Sequence, residues 1–452
     1  MRQKYYIFFL AVVAALGGFL FGFDTAVISG ALSPLIRYYG LESQPLWQGW
    51  LVSSVVLGCV LGALASGLLA DKSGRKGAMI VTGILFLTSS LGAAFSTTFN
   101  IFIGFRLVAG VAVGIAAMVS PLYIAEVSPV AIRGRLVALN QFALTLGILI
   151  AYISNHLVDR IYVQDGSLAG LVEATEIWRI MLGIAVIPSL LFLVLLLFVP
   201  ESPRFLALQG KEERAKSILS RLNDDQTALV EWNTISQTLN AKDITLRNLF
   251  KPPLGKSTFI ALYLAIFSQL SGIDLVLHYG PIILEKAGFS FADSLLGQLS
   301  FGIVLVLFTI LALWKVDTLG RKPLLLLGNA GIFLMLILIG YFFREASFSE
   351  IGLLTAISAF VAFFAFSMGP IPWIVMSEIF PAKVRGQAMA LATFSLFSAN
   401  WLVAQLFPLG MEYWGGHRTF WLLALFTLPT FWLVWKIMPE TKGKVLESQL
   451  SH

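Results

Sequence analysis

The sequence predicts an all-α integral membrane protein with twelve transmembrane helices in two pseudo-symmetric six-helix halves. Three observations predict it. Of 452 residues, 58% are hydrophobic and 12% charged, with a mean hydropathy of +0.84. Soluble domains carry about 25% charged residues, so a water-soluble enzyme of this size is excluded. Apolar runs of the roughly 20 residues needed to cross ~30 Å of hydrocarbon recur along the chain. Short polar motifs in the first half return in the second.

In order, the apolar runs cover 6–32, 47–70, 77–96, 101–125, 137–157 and 178–199, then 257–284, 294–314, 323–343, 351–377, 387–409 and 419–438. The first run continues into Gly30, too long for the core of a cleavable signal, and is expected to be a span. These runs define an N-terminal half (1–199), a linker (200–256), a C-terminal half (257–438) and a tail (439–452). The linker carries Lys211-Glu212-Glu213-Arg214, Asp224-Asp225 and Lys242-Asp243, and is expected to form short amphipathic helices at the membrane surface.

The net charge of +6 is dispersed over short loops, which fits membrane topology and not nucleic-acid binding. Lys72, Arg75 and Lys76, then Arg133 and Arg135, then Lys315, Arg321 and Lys322, then Lys383 and Arg385 all fall on one side, together with the linker. The opposite loops hold Arg37, Arg160, Lys286, Arg344 and Arg418 singly. By the positive-inside rule both termini are expected in the cytoplasm, on a multi-pass monomer of the cell inner or plasma membrane. Cys59 alone forms no intramolecular disulfide, and the four His have no metal-binding spacing. No cofactor is expected, and the chain shows no nucleophile–base constellation or phosphate loop of an enzyme or ATP-driven pump.

The repeats are specific. Asp71-Lys-Ser-Gly74-Arg75-Lys76 returns as Asp317-Thr-Leu-Gly320-Arg321-Lys322. Glu126-x-x-Pro129-x-x-x-Arg133-Gly134 returns as Glu378-x-x-Pro381-x-x-x-Arg385-Gly386. Pro200-Glu201 returns as Pro439-Glu440. Three ordered pairs on one face indicate duplicated halves, with a substrate site near the midplane between them. Asp71, Arg75, Glu126, Arg133, Glu201, Asp317, Arg321, Glu378 and Arg385 are expected to form acid–base pairs that clamp the halves on the cytoplasmic side and release when that side opens.

With these motifs, Pro200-Glu201-Ser202-Pro203-Arg204, Pro439-Glu440-Thr441-Lys442-Gly443, Gln269-Leu270-Ser271-Gly272-Ile273 and Gly369-Pro370-Ile371-Pro372-Trp373, the chain resembles the sugar porter family of the major facilitator superfamily. That family includes bacterial proton–sugar symporters and facilitative glucose transporters. The resemblance covers the whole chain. It implies a monosaccharide as substrate and a proton as coupling ion.

Polar residues in hydrocarbon are costly and are functional candidates by default. Asp24 lies in Phe21-Gly22-Phe23-Asp24-Thr25 and Arg106 in Phe105-Arg106-Leu107-Val108. At 1.5 Å per residue Asp24 is ~27 Å up span 1 and Arg106 ~9 Å below the outer surface, so both fall in the outer half and are expected to pair. Facilitative relatives often carry a neutral residue at the position of Asp24, so the resemblance favours symport. It also implies that Gln141 hydrogen-bonds sugar hydroxyls and that Ile148 replaces a second glutamine with an apolar group.

Span 7 departs from the family pattern. Ser268 replaces one glutamine beside Gln269, Asp274 replaces an asparagine, and His278 replaces a tyrosine. Asp274 and His278, four apart, share a helix face, either as a proton-sensitive pair or as altered hydroxyl readers. Trp373, Asn400, Trp401 and Phe21 complete the expected sugar site, rings for the C–H faces and an amide for hydroxyls. The expected function is import of a monosaccharide, a hexose such as glucose, with a proton. The alternatives are a uniporter for the same sugars and a sugar sensor, which would need a longer signalling tail than follows Lys442.

Overall fold

The computed structural model describes residues 2–129, 132–165, 173–239, 246–344, 349–440 and 442. Its first half comprises α1 (Arg2–Tyr38), α2 (45–73), α3 (75–94), α4 (Phe99–Val127), α5 (Arg133–Arg160) and α6 (Trp178–Leu196). Linker helices α7 (Pro203–Leu208), α8 (Glu212–Leu222) and α9 (Asp225–Leu239) follow. The second half comprises α10 (Gly255–Leu270) with α11 (Ile273–Lys286), α12 (Phe291–Leu319), α13 (Arg321–Arg344), α14 (Glu350–Phe366) with α15 (Ile371–Glu378), α16 (Ala382–Tyr413) and α17 (Gly415–Lys436). The described residues contain 11 helical stretches long and apolar enough to cross a membrane. One of these, Pro45–Ala94, turns back at Gly74 and so crosses twice. The crossings therefore number twelve, and the fold is two six-helix bundles.

Only helices satisfy every backbone group within a span, which is why the apolar runs fold this way. Helix starts use side-chain oxygens: Thr98, Ser290 and Ser349 accept hydrogen bonds from the amides of Ile101, Asp293 and Gly352. Helices pack where small residues let backbones approach. A Cβ on Gly110 of α4 would stand 1.9 Å from the Val55 carbonyl oxygen of α2.

The repeated motifs meet in space. Gly74 (φ +80°) and Gly320 (φ +90°) adopt backbone that other residues rarely take, and each turns the chain on the side where the linker lies. The Glu201 carboxylate then accepts from the amides of Arg75 and Lys76 at 2.9 and 3.1 Å. Glu440 does the same for Arg321 and Lys322, both at 3.0 Å. Each carboxylate thus covers the exposed amides at the start of α3 or α13, where an anion is favoured.

The acid–base pairs expected to clamp the halves together sit differently. Arg75 binds Glu126 (Nε–Oε2 3.0 Å) and Asp71 (3.6 Å) within the first half. Arg321 binds Glu378 (2.7 Å) within the second. The pairing is internal because the Gly74 and Gly320 turns deliver each arginine onto the end of its own half's α4 or α15. Arg133 reaches the linker instead, contacting Glu231 of α9 at 3.5 Å. Burial pushes the Glu231 carboxyl above the ordinary carboxylate range, against the opposing pull of Arg133 and Asn223. The side chains of Asp317 and Arg385 lie outside the described part. The linker helices bury Leu206, Ala207 and Ala215 in a small core of their own.

The two halves touch on the side opposite the linker, called the far side below. Ser29 donates to Gln298 (3.0 Å), Ser33 to Glu285 (2.7 Å), Ser53 to Gln405 (2.5 Å), and Tyr152 to the Leu277 carbonyl (2.9 Å). Gln405 closes this set by donating to the Leu46 carbonyl at 2.9 Å.

Gly74→Ala is expected to cost about 1–2 kcal/mol from the left-handed backbone, and more because its Cβ would stand 2.1 Å from the Glu201 carboxylate. Gly67→Ala, whose Cβ meets nothing within 4 Å, should be neutral or stabilising. Thermal unfolding of the detergent-solubilised proteins compares the two.

Candidate functional site

The site is assembled where the helices of both halves are interrupted or carry polar side chains. Asp24 of α1 and Arg106 of α4 are buried, 5% and 2% exposed. Arg106 Nη1 donates to both carboxylate oxygens of Asp24 at 3.3 Å. Arg106 Nε is buried without a partner. The pair expected from helix depth therefore forms, and a charge that would be prohibitive alone in hydrocarbon is neutralised in place.

Between α10 and α11 the chain passes through Gly272 in the left-handed region, φ +84°. The break sets Gln269 at the end of α10 and Asp274 in the first turn of α11. Gln269 Nε2 donates to the Ser268 hydroxyl at 3.3 Å, which leaves its buried Oε1 free. Asp274 is half-buried and accepts a short hydrogen bond from Asn400 Nδ2 of α16. One turn on, His278 is buried with Nδ1 unpartnered. Trp401, next to Asn400, has a buried indole N–H without an acceptor. Trp373 lies in α15, just past the break at Pro370, and is partly buried.

From the first half, Phe21 of α1 reaches across to Phe397 of α16, ring centroids 6.3 Å apart. Gln141 of α5 is partly buried, and its neighbour Asn140 carries a buried unpartnered Oδ1. Ile148 is packed in the hydrophobic core, 3% exposed. The structure thus brings together Asp24 with Arg106 and Asp274 with Asn400 as bonded pairs. Gln141, Gln269, His278, Trp373 and Trp401 make no side-chain bond to one another.

Sequence reasoning missed Gln298 of α12. It accepts from Ser29 of the first half and donates to the Leu277 carbonyl of α11 at 3.1 Å. Gln405 and Glu285, which also join the halves, were missed too. For the two glutamines the signal was present, since each is a polar residue inside an apolar run, while Glu285 stands just past the end of one. Buried amide, imidazole and indole groups without partners, those of Gln269, His278 and Trp401, suit a ligand with many hydroxyls, each of which can both donate and accept. Among the described residues no group of three His, Cys, Asp or Glu could hold a metal ion.

Two six-helix membrane bundles joined by polar contacts are the architecture of a membrane transporter. The family described as "Sugar (and other) transporter" matches residues 10–451. The chain belongs to this sugar transporter family of the major facilitator fold. It is 38% identical over 444 residues to the arabinose-proton symporter of Bacillus subtilis (strain 168), covering 98% of this chain and 94% of that protein. It is 35% identical over 473 residues to the D-xylose-proton symporter of Escherichia coli (strain K12), covering 98% and 94%. The partially occluded inward open structure of the xylose transporter XylE from E. coli superposes with a TM-score of 0.85 at 33% identity, over 98% of this chain and 100% of that one.

Gln141→Ala and Gln269→Ala are each expected to weaken sugar binding by roughly 1–3 kcal/mol, because a desolvated hydroxyl loses its partner. Calorimetry on the purified proteins measures this, and wild-type affinity in both would place the sugar elsewhere.

Proposed function

We propose that this protein imports a monosaccharide, a hexose such as glucose, together with a proton by alternating access. The observation that carries the reading is the buried Asp24–Arg106 pair beside a site of amides and aromatic rings. A neutral sugar has no use for a buried ion pair, whereas proton coupling does. The relatives named as sugar–proton symporters support the same reading, and a relative named as a glucose transporter, GlcP of Staphylococcus epidermidis, is 35% identical.

The positive-inside rule supports a linker side that faces the cytoplasm, in a cell's inner or plasma membrane. On that reading the bonds between the halves seal the outer face, and the site communicates with the inside. In this state Asp24 is paired with Arg106. Protonation of Asp24 from outside removes the charge that Arg106 needs, frees the guanidinium, and favours the arrangement to which sugar binds. Sugar and proton then move together because each stabilises the same rearranged state. Gln141, Gln269, Asn400 and His278 read hydroxyls, while Phe21, Trp373 and Trp401 pack on the C–H faces. The protein works as a monomer, with the bilayer as its solvent.

Proteoliposomes loaded at alkaline pH and diluted into acid medium should accumulate sugar above the outside concentration, and an uncoupler should abolish this. Equilibration without accumulation would instead establish uniport. Asp24→Asn, a permanent mimic of the neutral acid, should lose accumulation and keep sugar–sugar counterflow. Accumulation that survives the substitution removes Asp24 from the coupling step.

A further inference from the structure

The interface between the halves holds two carboxylates and one guanidinium. Cys59, on α2 between them, lies within electrostatic reach of Asp24, Arg106 and Asp274 together. Arg106 is committed to Asp24 at 3.3 Å through both carboxylate oxygens. Asp274 has a neutral amide, Asn400, as its partner, and among the described residues no cation stands within ion-pair distance of it. Ionised, this cluster carries one uncompensated negative charge inside the membrane, where unpaired charge is costly.

We infer that Asp274 is a second proton-binding carboxylate of the transporter, and that its protonation is linked to sugar occupancy. The inference rests on the symport reading for the nature of the ligand, and adds a second titrating group to it. Asp274 sits in the first turn of a helix that begins at the Gly272 break, so it moves with the segment whose contacts to α1 and to Tyr152 of α5 join the halves. Asn400 donates to one carboxylate oxygen and fixes the group's orientation. The second oxygen can carry the proton.

The groups that face Asp274 are few. From α2 comes Cys59, which also senses Asp24 of α1 and Arg106 of α4, from α5 Tyr152, and from its own helix His278 one turn on. The titratable groups of the other packed elements stand away from it. Lys256 and Tyr263 of α10 lie toward the linker side, and Asp293 of α12 and Glu350 of α14 lie at the far ends of their helices. At the far end of α11 Glu285 is bound to Ser33, and Lys286 pairs with Glu412 of α16.

The direction of the linkage follows from solvation. A neutral sugar closing over the carboxylate removes its water and so favours the protonated acid. By reciprocity the protonated acid then binds sugar more tightly. The carboxylate takes its proton from far-side water and returns it to linker-side water once the sugar has left.

The test is sugar affinity against pH in detergent or nanodiscs, using whichever of D-glucose, D-xylose and L-arabinose exchanges fastest in counterflow. In the Asp24→Asn protein, which has lost the proton linked at Asp24, sugar binding should still tighten as pH falls from about 8.5 to about 5.5, by up to about tenfold per pH unit for one linked proton. Asp24→Asn combined with Asp274→Asn should give a flat profile, whatever its absolute affinity. Asp24→Asn combined with Asp274→Glu keeps a titratable carboxyl and should restore the slope, which separates loss of titration from loss of shape. A slope that persists in the double asparagine variant, or one already absent in Asp24→Asn, overturns the inference while leaving symport intact. Failure of all three sugars to exchange contradicts the proposed function instead.

Discussion

A guanidinium with 2% of its surface exposed, in the middle of an apolar bundle, has to be neutralised where it stands. Arg106 meets this requirement with Asp24, from a helix 82 residues earlier in the chain. Removing one partner of such a pair commonly costs 3–5 kcal/mol, roughly, because the other is left buried and uncompensated. The packing around it follows. α1 and α4 must be neighbours, and α5 closes on α1 so tightly that a Cβ on Gly147 would stand 2.2 Å from the Phe19 carbonyl. The centre of the first half is thereby rigid, and the second half supplies the parts that bend: the Gly272 break and the break before Pro370.

The internal repeat acts at the level of capping chemistry as well as topology. Glu201 and Glu440 come from segments that end their respective halves, yet each returns to the turn between the second and third crossings of its half. There the carboxylate binds two successive backbone amides. The ends of each six-helix unit are thus tied to its middle, and each half is braced as a unit that can rotate without coming apart. That is the mechanical requirement of two halves rocking about a fixed site.

Much of this was legible in the sequence, for identifiable reasons. Span number followed from run length, since hydrocarbon thickness fixes helix length. The Asp24–Arg106 pair followed from matching depths. What was not legible was pairing that depends on which face a helix turns. Glu126 was expected to act with others across the halves, and the Gly74 turn gives it Arg75 instead. Arg133 was grouped with Glu126, and the fold of the linker sends it to Glu231. Gln298 and Gln405 were passed over because their spans looked ordinary, although a single amide in an apolar run is as informative as a charge. Ile148 and Gln141 show the limit of spacing: seven residues apart on α5, one is packed in the core and the other remains partly exposed.

The contacts that close the far side are hydroxyls and amides, with Glu285 as their charged member. Each neutral hydrogen bond of this kind is worth about 0.5–1.5 kcal/mol net. These polar bonds together therefore store only a few kcal/mol, comparable to the binding energy of one small solute. A gate built of ion pairs would respond to ionic strength, and one built of interlocked aromatic rings would be slow to part. This latch is cheap to break and has little salt dependence, so its opening in the empty carrier is set by thermal motion and not by the ionic strength of the medium it samples.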